Sequence, residues 1–92
     1  MEKLESIIQR EIIINLELDG WYVVKLIQTN KNGIPDLLCI RDGKCMFVEV
    51  KRPRNKARPL QEYRMKELRC HGVAAFVAYS IADIKTNNLI NN

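Results

Sequence analysis

Gly33-Ile34-Pro35-Asp36-Leu37-Leu38-Cys39-Ile40-Arg41-Asp42-Gly43-Lys44-Cys45-Met46-Phe47-Val48-Glu49-Val50-Lys51 is the stretch on which the reading of this chain turns. Two short apolar runs flank Arg-Asp-Gly-Lys, and Asp-Gly between alternating apolar residues is a strong β-hairpin signal. Each run carries a carboxylate that a buried strand has no structural reason to hold. With the turn centred on Asp42-Gly43, residue 36 falls opposite residue 49. Asp36 and Glu49 are then cross-strand neighbours, with Cβ atoms about 5 Å apart. Side chains alternate along a strand, so Lys51 shares the face of Glu49, about 7 Å further on, and Phe47 lies on that face behind it.

Like charges this close repel, and each raises the pKa of the other. A divalent cation between them removes the conflict. Mg²⁺, or Mn²⁺ in its place, takes oxygen ligands from one or two carboxylates together with waters and phosphate oxygens. The Val50 carbonyl is a further candidate oxygen. An ammonium at Lys51 is placed to orient or help deprotonate an attacking water, or to steady charge on a transferring phosphoryl group. Lys51, Arg52, Arg54, Lys56 and Arg58 fall within eight residues. Such a run suits a polyanion whose phosphate lies at the metal. A lone Glu-x-Lys is ordinarily a solvated strand face with a weak ion pair; the hairpin register and the basic run together favour the catalytic reading.

Outward from this hairpin, Leu4 to Asp19 reads as a helix with Leu4, Ile7, Ile8, Ile12, Ile14, Leu16 and Leu18 on a broad apolar arc. Trp21–Gln28 is rich in β-branched and aromatic residues and reads as a strand. Asp36–Ile40 and Cys45–Lys51 are the strands of the hairpin. Leu60–His71 reads as a helix with apolar contacts at Leu60, Tyr63 and Leu68, stopped by Gly72. Val73–Tyr79 is an apolar strand covered on both faces. Ser80 is placed to cap a last helix running to about Leu89. The order α-β-β-β-α-β-α gives an α/β fold, a mixed sheet flanked by helices, with the last strand parallel to the strand before the helical crossover.

At 92 residues the chain is one domain, 1–92, and its small core makes dimerisation a natural way to gain burial. The net charge of +4 points mildly to an anionic partner. Three cysteines without a Cys-x-x-Cys pair suggest neither a disulfide framework nor a zinc site, and a reducing, intracellular setting fits them. Cys39 and Cys70 read as small apolar residues. There is no signal-peptide pattern and no apolar run long enough to span a membrane. The single histidine, His71, reads as a helix C-terminal cap, and no nucleophilic triad is present.

Gly-Ile-Pro-Asp at 33–36, Glu-Val-Lys-Arg at 49–52, Gln61 at the start of the following helix and Glu-Ser-Ile-Ile-Gln at 5–9 together resemble the VRR-NUC (virus-type replication-repair nuclease) family of the PD-(D/E)XK superfamily. The resemblance spans about Glu5 to Tyr79. It implies a restriction-endonuclease-like core and a divalent-metal-dependent DNA phosphodiesterase that leaves a 5′-phosphate and a 3′-hydroxyl. It implies Asp36 and Glu49 as metal ligands, Lys51 as the catalytic lysine, and Gln61 as a supporting residue aligning Lys51 or a backbone phosphate. Minimal domains of this type resemble dimeric Holliday-junction resolvases acting on branched DNA, of phage or prophage origin in a bacterial cytoplasm. A nuclease for flaps or splayed arms and a non-catalytic nucleic-acid-binding module are the alternatives. Both Glu5 and Glu11 lie within the apolar arc of the first helix; the family match favours Glu5, and the choice between them stays open at this point. Arg52, Arg54, Lys56 and Arg58 are the expected DNA contacts.

Overall fold

A computed structural model describes residues 3–90. Of the Asn-rich end, residues 91–92 lie outside the described residues. The elements run α1 (Glu5–Leu18), β1 (Tyr22–Lys25), β2 (Leu37–Arg41), β3 (Lys44–Val50), α2 (Pro59–Cys70), β4 (Ala74–Ala78) and α3 (Ile81–Ile90). They form one four-stranded sheet in the order β1-β2-β3-β4. The first two pairings are antiparallel and β3 runs parallel to β4. This is the expected mixed α/β sheet flanked by helices.

The hairpin turn closes as Asp-Gly demands. Asp42 and Gly43 both take positive φ, 51° and 77°, the two-residue turn whose twist matches the flanking strands. Arg41 then faces Lys44, Cys39 faces Met46 and Leu37 faces Val48. Continued by one residue, this register sets Asp36 against Glu49.

The two faces of the sheet do different work. Leu37, Cys39, Met46, Val48, Val50, Phe76 and Ala78 form one face, buried with Ile8, Ile12 and Leu16 of α1, Trp21, and Ile84 of α3. Residues of the opposite parity, Phe47, Glu49, Ala75 and Val77, share the other face. There α2 packs on β4 through Met65, the one residue of that helix buried in the protein.

Several expectations are corrected. The apolar arc of α1 is wider than the core it serves: Ile8, Ile12 and Leu16 are buried, whereas Ile7, Ile14 and Leu18 stay exposed. β1 stops at Lys25 rather than Gln28; one further backbone bond, from Leu26 N–H to Asp36 O at 2.8 Å, ties the chain to the start of β2. Residues 26–35 form a loop instead. Tyr63 and Leu60 are exposed and Met65 takes the anchoring role given to them. Cys39 is fully buried, while Cys70 is exposed at the end of α2.

The far end of the sheet is fastened by local contacts. The Arg41 guanidinium lies 4.6 Å from the Trp21 ring centroid and pairs with Asp19 at 2.8 Å. His71 Nδ1 lies 2.9 Å from the Glu67 carbonyl oxygen, to which Nδ1–H donates at the end of α2.

The loop between β1 and β2 is fastened to α2. Arg64 Nε donates to the Asn32 carbonyl at 2.8 Å. Gly33 takes φ +82°, and a Cβ there would meet Leu60 Cγ at 2.8 Å and the Leu60 carbonyl carbon and oxygen at 3.2 Å. Both conformation and space therefore require glycine. Gly43 also has positive φ, but nothing lies within 4 Å of its Cβ position. Gly33→Ala is expected to cost about 2 kcal/mol or more, a fall in Tm on the order of 10 °C, and Gly43→Ala only about 1 kcal/mol. Thermal melts of the two variants check this; equal losses would mean that the contact with Leu60 does not matter.

Candidate active site

The strand directions place β1, β3 and β4 so that they finish at one end of the sheet, where β2 starts. The N-termini of all three helices lie at that end too. Asp36, Glu49, Lys51, Gln61 and Glu5 all belong to it.

Asp36 is half-buried immediately ahead of β2, and its Oδ2 accepts a hydrogen bond from the Val50 N–H at 2.9 Å. In an antiparallel ladder every second facing pair exchanges both N–H···O bonds. Counted from Arg41 and Lys44 beside the turn, such pairs fall at Cys39/Met46 and Leu37/Val48, and next at Pro35/Val50. Proline has no N–H to give. Pro35 therefore gives no donor to the Val50 carbonyl, and the Val50 N–H goes to the Asp36 carboxylate rather than to the Pro35 carbonyl.

Glu49 is only 2% exposed, in the penultimate position of β3. Gln61 Nε2 donates to its Oε2 at 3.1 Å, and Lys51 Nζ lies 3.4 Å from the same oxygen. Gln61 Oε1 in turn accepts the Arg58 N–H at 2.8 Å, so the side chain is fixed at the mouth of α2. Gln61 thus serves the glutamate, a contact that the expectation of a role toward Lys51 or a phosphate did not include. The other oxygen, Glu49 Oε1, is buried with no hydrogen-bond partner. Lys51 is also buried, at 8% exposed, and its backbone N–H is tied to Ala78 O at 3.1 Å.

The electrostatics follow from this crowding. Burial pushes the Glu49 carboxyl up from 4.5 to about 7, and the charge of Asp36 adds to the shift, against the pull of Lys51. Burial likewise raises Asp36, opposed by the Val50 N–H and supported by the charge of Glu5. Glu5, half-buried in the first turn of α1, acts on both carboxylates. Glu11 is turned to other work: it pairs with Lys3 at 2.9 Å. Lys25, exposed at the end of β1, is felt by Asp36 as well, which puts its charge within reach of the site, one of the two places its strand position allowed.

Two facing carboxylates, an orphaned buried oxygen and a backbone carbonyl without a ladder donor form a set of hard oxygen ligands, and they fit Mg²⁺ or Mn²⁺. Among the described residues, no three Asp, Glu, His or Cys side chains cluster closely enough to hold an ion by themselves. Arg52, Arg54, Lys56 and Arg58 are exposed on the loop from β3 to α2. The Tyr79 hydroxyl donates to Asn55 O at 3.0 Å and ties this loop to the end of β4.

In metal-free protein the raised Glu49 acts in the opposite sense to an ordinary salt-bridged carboxylate. Between pH 4.5 and about 7 the folded chain holds a proton that the unfolded chain has released. Stability is therefore expected to fall as pH rises through that window, by up to about 3 kcal/mol. Glu49→Gln removes the charge and is expected to match the parent near pH 5 and exceed it near pH 8. Denaturant melts in chelator across this range measure the effect; parallel curves would contradict it.

The comparisons with known proteins agree with the fold and with the family. The VRR-NUC domain family matches residues 1–82. A solved structure titled "VRR_NUC domain" is 31% identical, with a TM-score of 0.78, and the alignment covers 96% of this chain and 95% of that one. A second, "VRR_NUC domain protein", is 21% identical, with a TM-score of 0.74, covering 99% of this chain and 88% of that one, and shows the same fold. No curated protein matches. With a restriction-endonuclease-like sheet and a family match over most of its length, the chain belongs to the VRR-NUC nuclease family.

Proposed function

We propose that this protein is a divalent-metal-dependent endonuclease that hydrolyses phosphodiester bonds in branched DNA, as a dimeric Holliday-junction resolvase. The observation that carries the reading is Glu49: a buried carboxylate with one oxygen unpartnered, beside Lys51 and across the ladder from Asp36.

Asp36, Glu49 and the Val50 carbonyl would hold the ion, with Glu5 acting through water at the rim. Mg²⁺ or Mn²⁺ supplies Lewis acidity toward a phosphate oxygen and lowers the pKa of water. Lys51 Nζ, desolvated and held toward Glu49, orients the attacking water and offsets charge that builds on the phosphoryl oxygens. Gln61 keeps Glu49 in place. Arg52, Arg54, Lys56 and Arg58 take backbone phosphates beside the cut, a contact independent of sequence and steeply dependent on salt.

The dimer follows from exposed apolar surface on a small domain. Ile7, Ile14, Leu18 and Tyr22 are all more than two-fifths exposed, and a second copy would cover them. A two-fold pair of sites at fixed separation can nick symmetric strands of a four-way junction.

The test is a cleavage panel. Protein with Mg²⁺ or Mn²⁺ is expected to cut a synthetic four-way junction in preference to a flap or a linear duplex, and to lose activity in chelator. Asp36→Ala and Lys51→Ala are expected to bind the junction but cut it more slowly by on the order of 10³-fold or more. Equal cutting by Asp36→Ala would end the mechanism. Flap preference would move the reading to the structure-selective alternative, and tight metal-independent binding without products to a non-catalytic binding module. Solution mass fixes the oligomeric state.

A further inference from the structure

The basic loop Arg52–Arg58 borders the carboxylates on the side of β4. The opposite border, on the side of β1, has been given no task. Two clefts lie there. One, of about 340 Å³, is lined mostly by polar surface, including Gln28, Thr29, Lys31 and Asn32, and reaches Asp36. The other, of about 310 Å³, lies between α1 and Lys25; the apolar Ile13 and Ile14 line it together with the polar Ser6, Gln9, Arg10 and Lys25. Lys25, Lys31 and Arg10 are all exposed.

The wall between them and the site is firm. Leu26 N–H donates to Asp36 O at 2.8 Å, Thr29 Oγ1 donates to Lys31 O at 2.6 Å, and Arg64 holds Asn32 from α2. The loop is thereby fixed against the same helix that positions Gln61.

We infer that Lys25, with Arg10 beside it, and Lys31 on the following loop form a second phosphate-binding bank, so that a nucleic-acid strand lies across the end of the sheet and is held on both sides of the bond to be cut. Lys31 lies within range of the Glu67 charge. The inference rests on the nuclease reading above and assigns residues that reading leaves idle. Its geometry comes from topology. Strands lie about 4.8 Å apart, so β1 to β4 spans about 14 Å, with the carboxylates between them on β2 and β3. At about 3.4 Å of rise per nucleotide, that distance is about four nucleotides of one strand. A bank on one side only would hold the strand by one end; banks on both sides keep the phosphate over the carboxylates. Positive charge at Lys25 also moderates the repulsion between phosphate and Asp36.

The experiment is binding of the 92-residue chain to a labelled four-way junction in Ca²⁺, by anisotropy across a salt series. Lys25→Gln/Lys31→Gln is compared with Lys66→Gln/Lys85→Gln, which removes the same charge from exposed positions on α2 and α3. The first pair is expected to weaken binding about tenfold and to lower the salt slope by about 2, one for each lost phosphate contact. The second is expected to leave slope and cleavage at the parental values. Melting curves confirm that both variants are folded. A parental slope in Lys25→Gln/Lys31→Gln, or equal losses in the two pairs, overturns the second bank while leaving the nuclease reading intact. A parent protein that neither binds nor cuts DNA overturns both.

Discussion

The structure depends on keeping two carboxylates together where each would rather have water. Asp36 and Glu49 face one another because an Asp-Gly turn fixes a register, and the register has no freedom: a slip of one residue would send Glu49 into the α1 face and expose Val48 and Val50. The buried side chains Leu37, Cys39, Met46, Val48 and Val50 enforce the pairing far more strongly than any contact of the carboxylates themselves. Core packing thus holds an arrangement that its electrostatics oppose. Three groups moderate the opposition, the Val50 N–H on Asp36 and Gln61 and Lys51 on Glu49. They leave Glu49 Oε1 alone. A buried acceptor without a donor is costly, and a cation would offer what no donor among the described residues supplies.

Pro35 belongs to the same constraint. A residue with an N–H at that position would complete the ladder with Val50 and satisfy its carbonyl. Proline gives the Val50 carbonyl no donor, the carboxylate of the next residue takes the Val50 N–H in place of the Pro35 carbonyl, and the loop behind turns through Gly33 onto α2. The Gly-x-Pro-Asp pattern has a local reason at each fixed position: glycine for the left-handed turn against Leu60, proline for the broken ladder, aspartate for the N–H it captures.

Much of this was legible in the sequence because it is governed by short-range rules. Turn chemistry and alternation suffice to pair residue 36 with 49, to put Lys51 beside Glu49 and to run β4 parallel to β3. The contacts that escaped are long-range or depend on how an element ends. Gln61 reaches Glu49 only because the loop from Val50 to Pro59 folds the mouth of α2 back over the site, and no spacing encodes that return. Met65 rather than Tyr63 anchors α2 because helix rotation is set by the sheet beneath it. The end of β1 depends on its partner strand, so alternation alone left Lys25 either at the site or on a surface strand. Glu5 and Glu11 look alike along the sequence; the Lys3 pairing of Glu11 and the charge of Glu5 on both carboxylates separate them once α1 is placed.

The topology explains why so small a domain tolerates this strain. With β1, β3 and β4 running one way and all three helices starting at their finishing end, the sheet has a chemical end and a structural one. The structural end carries Trp21 under Arg41, the Asp19 pair and the His71 contact with the end of α2, interactions that ask nothing of the site. The chemical end carries the buried charges, the broken ladder and the exposed bases. Helix N-termini there present N–H groups and the positive ends of their dipoles, a setting that favours carboxylates and phosphates alike. An anionic ligand with a cation would meet a field already arranged for them, and their binding would relieve at one end of the sheet a repulsion that packing along its whole length holds in place.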